Sequence, residues 1–230
     1  MPDPFTLHSS LFTFPKGAAF GKALPKTKIY EHSGANTRLK DLFVKQVEQI
    51  VWQYKLAPET INLPARLGVP EIQIFRLQLK TPELHRDVLR CIDRAVQFPI
   101  VFELAFAGRT QVVAAYKRPG EADAAHWTLS DYFASEWLPA DYPRAAMPVA
   151  LNMGSLYEQL LHSLIPLPAR PQESLSELVA RMGKVQATQR EVDKTVARLE
   201  KEKQFNRKVE INRQLKALIT IMGGLTQWPG

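Results

Sequence analysis

Cysteine is nearly absent: the 230-residue chain holds one, Cys91. A single thiol excludes an internal disulfide. Its setting among Val88, Leu89, Ile92 and Val96 predicts a small packed hydrophobe, suited to a reducing compartment. Long apolar runs are also missing. No stretch approaches the roughly 20 residues that a membrane-spanning helix needs, and Met1 to Ser10 carries Asp3 without the apolar core of a secretory signal. The expected address is the cytoplasm, with no membrane partner. Phosphate-binding glycine loops, dinucleotide fingerprints, nucleophile elbows and zinc-spaced Cys or His sets are not found. That disfavours the common motif-bearing enzymes and implies no cofactor. The histidines, His8, His32, His85, His126 and His162, are too scattered to suggest a metal site.

What is present is ordinary globular usage with a cationic excess. Apolar residues make up 45% and charged residues 23%, which excludes wholesale disorder and leaves enough for a core. Thirty Lys and Arg against 23 Asp and Glu give a net charge of +7 and a pI near 9.5. Such an excess fits nucleic acid, an acidic protein or an anionic surface as partner.

Residues 1 to 37 carry Pro2, Pro4, Pro15 and Pro25 without an apolar period and predict an extended basic arm, in which Lys16, Lys22, Lys26 and Lys28 alternate with Phe14, Phe20 and Tyr30. From Arg38 to Lys55, Leu39, Leu42, Phe43, Val47, Ile50, Val51 and Tyr54 recur at three and four, which predicts one amphipathic helix ended by Pro58. Glu71 to Lys80 alternates as a strand does, with Ile72, Ile74, Leu77 and Leu79 inward, though Phe75 shifts the period. Thr81, Pro82 and Glu83 supply the cap, first-turn proline and early acid of a helix that ends before Pro99. Ile100 to Ala107 and Thr110 to Tyr116, separated by Gly108 and Arg109, predict a tight hairpin. Residues 120 to 150, with Trp127, Tyr132, Phe133, Trp137 and Tyr142, predict a loop-rich collar, and Met153 to Ile165 a helix. The core, 38 to 165, is therefore expected to be α+β: a small mixed or antiparallel sheet covered by helices.

Pro166, Pro168 and Pro171 mark a stiff break. Beyond it, in 166 to 230, Leu175, Leu178, Met182, Val185, Val192, Val196 and Leu199 fall on heptad spacing with Gln189 as the polar interruption, which predicts a long coiled-coil-like helix. The phase is lost near Lys203 and Asn206 and resumes through Ile211, Leu215, Leu218 and Met222. Unbroken from Ser174 to Met222, that helix would run about 70 Å. Its expected use is self-association or a protein partner through Leu178, Met182, Val185, Val192, Val196 and Leu199. Between Arg181 and Lys216, eleven Lys or Arg stand against five Asp or Glu. This charge suits a solvated coiled-coil surface, a helix lying along phosphates, or a partner's acidic groove.

The best cue to chemistry is the interleaving of Lys22, Lys26 and Lys28 with Tyr30, since lysines hold phosphates while aromatic rings stack on unpaired bases. Lys117 and Arg118, at the end of a strand, extend that candidate nucleic-acid surface. A competing enzymatic reading takes Glu71 or Glu103 with Lys117 as a divergent metal-dependent nuclease. It requires those side chains to share one face.

The segments FGKALPKTKIYEH (Phe20 to His32), VEQIVWQYKLAPETINLPA (Val47 to Ala65), VFELAF with VVAAYKRP, and EKQFNRKVEIN (Glu202 to Asn212) resemble bacterial proteins catalogued as domain of unknown function 4391. The resemblance spans nearly the whole chain. It implies a genomic context of helicase and DNA methyltransferase genes in restriction-like systems, and no catalytic residue. The expected role is a non-catalytic accessory subunit of a DNA-processing, restriction-modification or antiviral defence system. It would bind DNA or RNA through its basic surface and a partner such as a helicase or methyltransferase through the C-terminal helix; a purely structural coiled-coil adaptor is the third alternative.

Overall fold

The computed structural model describes residues 11–120 and 127–227, and the expectations for Met1 to Ser10, His8 and His126 lie outside the described residues. The chain forms two compact units that divide between Leu164 and Ile165, next to the proline-rich stretch.

The first unit is α+β. Its strands are β1 (Phe12–Thr13), β2 (Ala19–Ala23), β3 (Val47–Leu56), β4 (Ile72–Leu79), β5 (Ile100–Phe106), β6 (Arg109–Pro119), β7 (Trp127–Ala134), β8 (Leu138–Pro139) and β9 (Ala145–Ala146). Its helices are α1 (Lys26–Ser33), α2 (Thr37–Gln46), α3 (Pro58–Ile61), α4 (Arg86–Ala95) and α5 (Met153–His162). The described residues build a seven-stranded sheet in the order β2-β3-β4-β5-β6-β7, with β8 also on β6, while β1 and β9 make a separate parallel pair. Every pair in the large sheet is antiparallel except β4 with β5. That parallel pair needs a crossover, which α4 supplies.

One sheet face is covered by α1, α2 and α4. Ile29, Phe43, Val88, Leu89 and Ile92 of these helices share a buried cluster with Phe75, Leu77, Phe102, Leu104 and Val113 of the strands. An aromatic row crosses the sheet under the helices. Phe20, Trp52, Phe75, Phe102 and Tyr132 follow one another with ring centroids 4.3 to 6.4 Å apart, a spacing at which offset and edge-on rings attract.

Several local expectations are corrected. Residues 12 to 37 are not an extended arm: β2 pairs with β3, and Pro25 and Gly34, the latter at φ 65°, bracket α1. The apolar period is faint there because only Ile29 of α1 is buried. The helix expected from Arg38 to Lys55 stops at Gln46, and Val47–Leu56 is a strand. A register shift between Val47 and Gln49 inserts an extra residue, so Val47 and Ile50 both point inward. A bulge therefore gave a strand the spacing of a helix. The helix expected from Thr81 begins at Arg86. The Thr81 hydroxyl turns onto Glu83 O, Gln46 accepts from His85 N–H, and His85 Nδ1 caps Asp87 N–H. The hairpin turn is Ala107–Gly108, with φ of 45° and 73°, as a two-residue turn with both centres left-handed requires. The expected collar contains β7, paired along β6.

The second unit holds α6 (Leu175–Lys201) and α7 (Phe205–Thr226), two helices separated at Glu202–Gln204 in place of one unbroken rod. Ser174 and Glu177 cap each other reciprocally at the start of α6. Glu202 accepts from Lys203 N–H and Gln204 N–H, which ends one helix and opens the next.

Candidate functional site

Lys117 is the residue whose place differs most from expectation. It is 2% exposed, facing α4. Its Nζ donates to Asp93 O at 2.5 Å and to Val96 O, two carbonyls at the C-terminal end of α4, and stands 3.8 Å from Asp93 Oδ1. A cation at the negative end of a helix is favourable. The Asp93 carboxylate accepts from Tyr132 OH at 2.5 Å. Burial pushes the Asp93 carboxyl up to about 6, opposed by the Lys117 charge and the Tyr132 hydrogen bond. Burial also lowers Lys117, which Asp93 holds up, and raises Tyr132, with Asp93 adding to it. This centre fastens α4 to the sheet from within. Beside it, the β6–β7 register slips between Ala115 and Lys117. The buried Tyr157 hydroxyl donates to Ala115 O at 2.8 Å and accepts from Lys117 N–H at 2.9 Å, and Ser130 Oγ accepts from Tyr116 N–H. The backbone groups that the bulge frees are thereby satisfied.

The other predicted nucleic-acid residues separate in the same way. Lys26 caps α2, with Nζ 2.5 Å from Val47 O and 3.3 Å from Phe43 O, and Lys80 joins it on Val44 O. Burial and the nearby Lys80 lower its pKa. Tyr30 packs edge-on against Phe43 at 5.2 Å, with Lys40 Nζ 5.7 Å from its ring. Lys28 is exposed and pairs with Glu31 at 3.2 Å; Lys22 is exposed on β2; Arg118 is half-buried on β6. Four strand spacings, about 19 Å, separate β2 from β6, so the six residues do not form one cluster.

Nor do the acids converge with the lysine. Phe102 and Leu104 face α4, so Glu103 between them faces the opposite side, where Arg144 grips it with two bonds of 2.7 and 2.9 Å and also binds Phe12 O. Glu71 accepts from Gln73 at 2.6 Å and stands 3.5 Å from Lys55, which also pairs with Glu59 at 2.7 Å. Among the described residues no group of three or more His, Cys, Asp or Glu could hold a metal ion.

Missed by the sequence reading is a groove along α4, formed by three adjoining cavities. The first, about 370 Å³, lies between α2 and α4 and is walled by Arg38, Arg90 and Arg94, with Asn36, Asp87 and two leucines. The second, about 460 Å³, shares Asp87 and Arg90 with it and adds Arg86, His85 and Glu83. The third, about 360 Å³, shares Glu83, Leu84 and Arg86 and reaches an apolar lining that includes Leu89, Leu104, Val113, Tyr132 and Trp137. Arg90 is loosely held, 3.7 Å from Asp87 and 3.6 Å from Asp131. Among the described residues neither Arg38 nor Arg94 has an ion-pair partner. Nothing local signals this groove, because Arg38 and Arg94 sit on two helices 56 positions apart in sequence and Trp137 on a third segment.

In the second unit the end of α7 returns to the beginning of α6, so the helices form an antiparallel hairpin. Arg181 donates to Leu225 O at 2.9 Å and to Pro168 O at 2.7 Å, and holds Glu173 at 2.7 Å, while Arg170 donates to Gly224 O at 2.6 Å. The Arg181 guanidinium keeps the Glu173 carboxyl below the usual range. Of the predicted partner seam, Leu178 and Met182 are buried, Val185, Val192 and Leu199 are half-buried, and Val196 is exposed. Most of the hairpin's large exposed apolar side chains lie on α7: Phe205, Val209, Ile219 and Ile221.

An α+β unit whose helices are fastened by buried cations, followed by a basic helical hairpin, defines the class of protein. The family model described as Domain of unknown function (DUF4391) matches residues 12–220, and the chain belongs to that family. No curated protein and no solved structure matches it. No helix among the described residues is long and apolar enough to cross a membrane.

Proposed function

We propose that this chain is a non-catalytic accessory subunit of a bacterial DNA-processing system of the restriction or antiviral type. It binds nucleic acid through the helical layer of its first unit and a protein partner through its hairpin. The observation that carries this reading is where the positive charge lies. The three helices on one sheet face, α1, α2 and α4, hold eight Lys or Arg against four Asp or Glu, one of them the buried Asp93. Residues 165 to 230 hold twelve against seven. A one-sided cationic layer is the footprint of phosphate binding, and Glu103 and Lys117, on opposite sides of the sheet, favour binding over hydrolysis.

For the partner, the exposed α7 side chains supply an apolar surface beside Arg207, Lys208, Arg213 and Lys216. They suit a partner helix whose apolar stripe is edged by acidic residues. The test has two readouts. Affinity for labelled DNA should fall steeply with salt, because bound phosphates release counterions. A protein recovered with the full chain from its native cells should be lost when the chain ends at Leu164. Absence of DNA binding at low salt, or retention of the same partner by the truncated chain, overturns the corresponding half.

A further inference from the structure

We propose that the groove along α4 is a site for single-stranded nucleic acid, with phosphates on Arg38, Arg90 and Arg94 and an unpaired base in the cavity walled by Trp137 and Tyr132. The inference rests on the reading of the helical layer given above and names the strand type and the residues. Its two ends differ in chemistry. At the Arg94 end, guanidinium groups from two helices border one opening, and their planar forks match phosphate oxygens two at a time. Arg38 and Arg94 are free of ion pairs among the described residues, and the Arg90 contacts of 3.6 and 3.7 Å are long enough for a phosphate to replace. At the Arg86 end, the opening is lined by Leu84, Leu89, Leu104, Val113, Tyr132 and Trp137.

An opening of about 360 Å³ with Tyr132 and Trp137 in its wall, beside a phosphate track, accepts a planar ring that has left its stack, while Glu83, Arg86 and Gln111 of the same lining offer hydrogen bonds to the ring edge. In a duplex that ring is paired and stacked, which is why the groove selects single strands. The ten residues of α4 span about 15 Å, enough for a few nucleotides. Three acids border the track: Asp87, which also faces His85 and Arg90; Asp131, which faces Arg90; and Glu83. They keep the groove from being a uniform anion sink and leave the cationic end at Arg38 and Arg94.

The experiment is fluorescence anisotropy of the full chain with a fluorescein-labelled twelve-nucleotide oligothymidylate, and with its duplex on oligoadenylate. The single strand is expected to bind more tightly. Arg38→Ala and Arg94→Ala should each lower the slope of log affinity against log salt by about 0.7. Trp137→Ala should weaken binding by about fivefold to a hundredfold, and Trp137→Phe, which keeps a ring, should restore most of it. The exposed arginines can be changed without touching the core, so the site stays testable if Trp137→Ala unfolds. Duplex preference, or equal affinity in Arg38→Ala and Arg94→Ala, overturns the groove. If Lys40→Glu and Lys45→Glu on α2, outside the groove, abolish binding instead, the groove fails while the reading of the helical layer stands. If no nucleic acid binds, both fail.

Discussion

A buried ammonium group is costly unless it finds acceptors and an opposite charge, and Lys117 finds two carbonyls, Asp93 O and Val96 O, and the Asp93 carboxylate 3.8 Å away. The same use of cations recurs with Lys26 and Lys80 on α2 and with Arg170 and Arg181 on α7. The price of this arrangement falls on Asp93, whose folded-state pKa of about 6 lies above its ordinary 3.8. A carboxyl raised on folding favours the folded state when protonated. Its contribution is complete below about pH 4 and is lost as pH rises through about 6. The stability of the wild type relative to Asp93→Asn should therefore fall by about 2 kcal/mol between pH 4 and pH 7, read by urea denaturation at each pH. Parallel profiles for the two proteins would refute the assignment. Tyr157→Phe tests the adjoining bulge. Removing one hydroxyl leaves Ala115 O and Lys117 N–H unsatisfied in a buried place, with an expected loss of about 2 to 4 kcal/mol.

At the level of elements, the β5–β6 hairpin offers a change in the other direction. Ala107 holds φ 45°, which its Cβ disfavours, and Gly108 follows at 73°. Ala107→Asn creates the Asn-Gly pair that this turn prefers and should stabilise by about 0.5 to 1 kcal/mol, seen as a higher denaturation midpoint with unchanged slope. This hairpin was legible in the sequence to within one residue, because turn chemistry is local. So were β4, in spite of the shift of period at Phe75, and α5, whose pattern follows a single period. β3 was not legible, since its bulge displaces the period of two at Val47 and Ile50. The role of Lys117 was hidden for another reason. A lysine ending a strand reads as solvated, and the carbonyls that claim it belong to a helix more than twenty residues earlier. The division of the predicted rod at Glu202 was foreshadowed by the lost heptad phase, but a lost phase does not distinguish a bend from a reversal.

For the whole molecule, the first unit has a core of its own, with helices on one sheet face and the α5 side chain Tyr157 anchoring β6. A chain ending at Leu164 should keep a cooperative thermal transition and near-native circular dichroism in the aromatic region. A broad, non-cooperative melt would show that the first unit needs residues beyond Leu164. The hairpin is a different kind of body: Leu175, Leu178, Arg181, Met182, Thr195 and Ile211 are its buried residues within 49 helical positions. Such sparse burial suits a segment that completes its packing on another protein.

Sheet edges carry a further consequence. Along β2 all five residues are exposed, the pairing to β3 breaks between Ala19 and Lys22, Gly21 turns at φ 63°, and Lys22 stands within the strand. Irregular pairing and a protruding charge stop another chain from continuing the ladder. Lys22, which the sequence offers as a phosphate ligand, stands where a charge guards an irregular edge strand against pairing. Replacing it with valine while straightening Gly21 would turn a terminated sheet into a template for fibrillar growth.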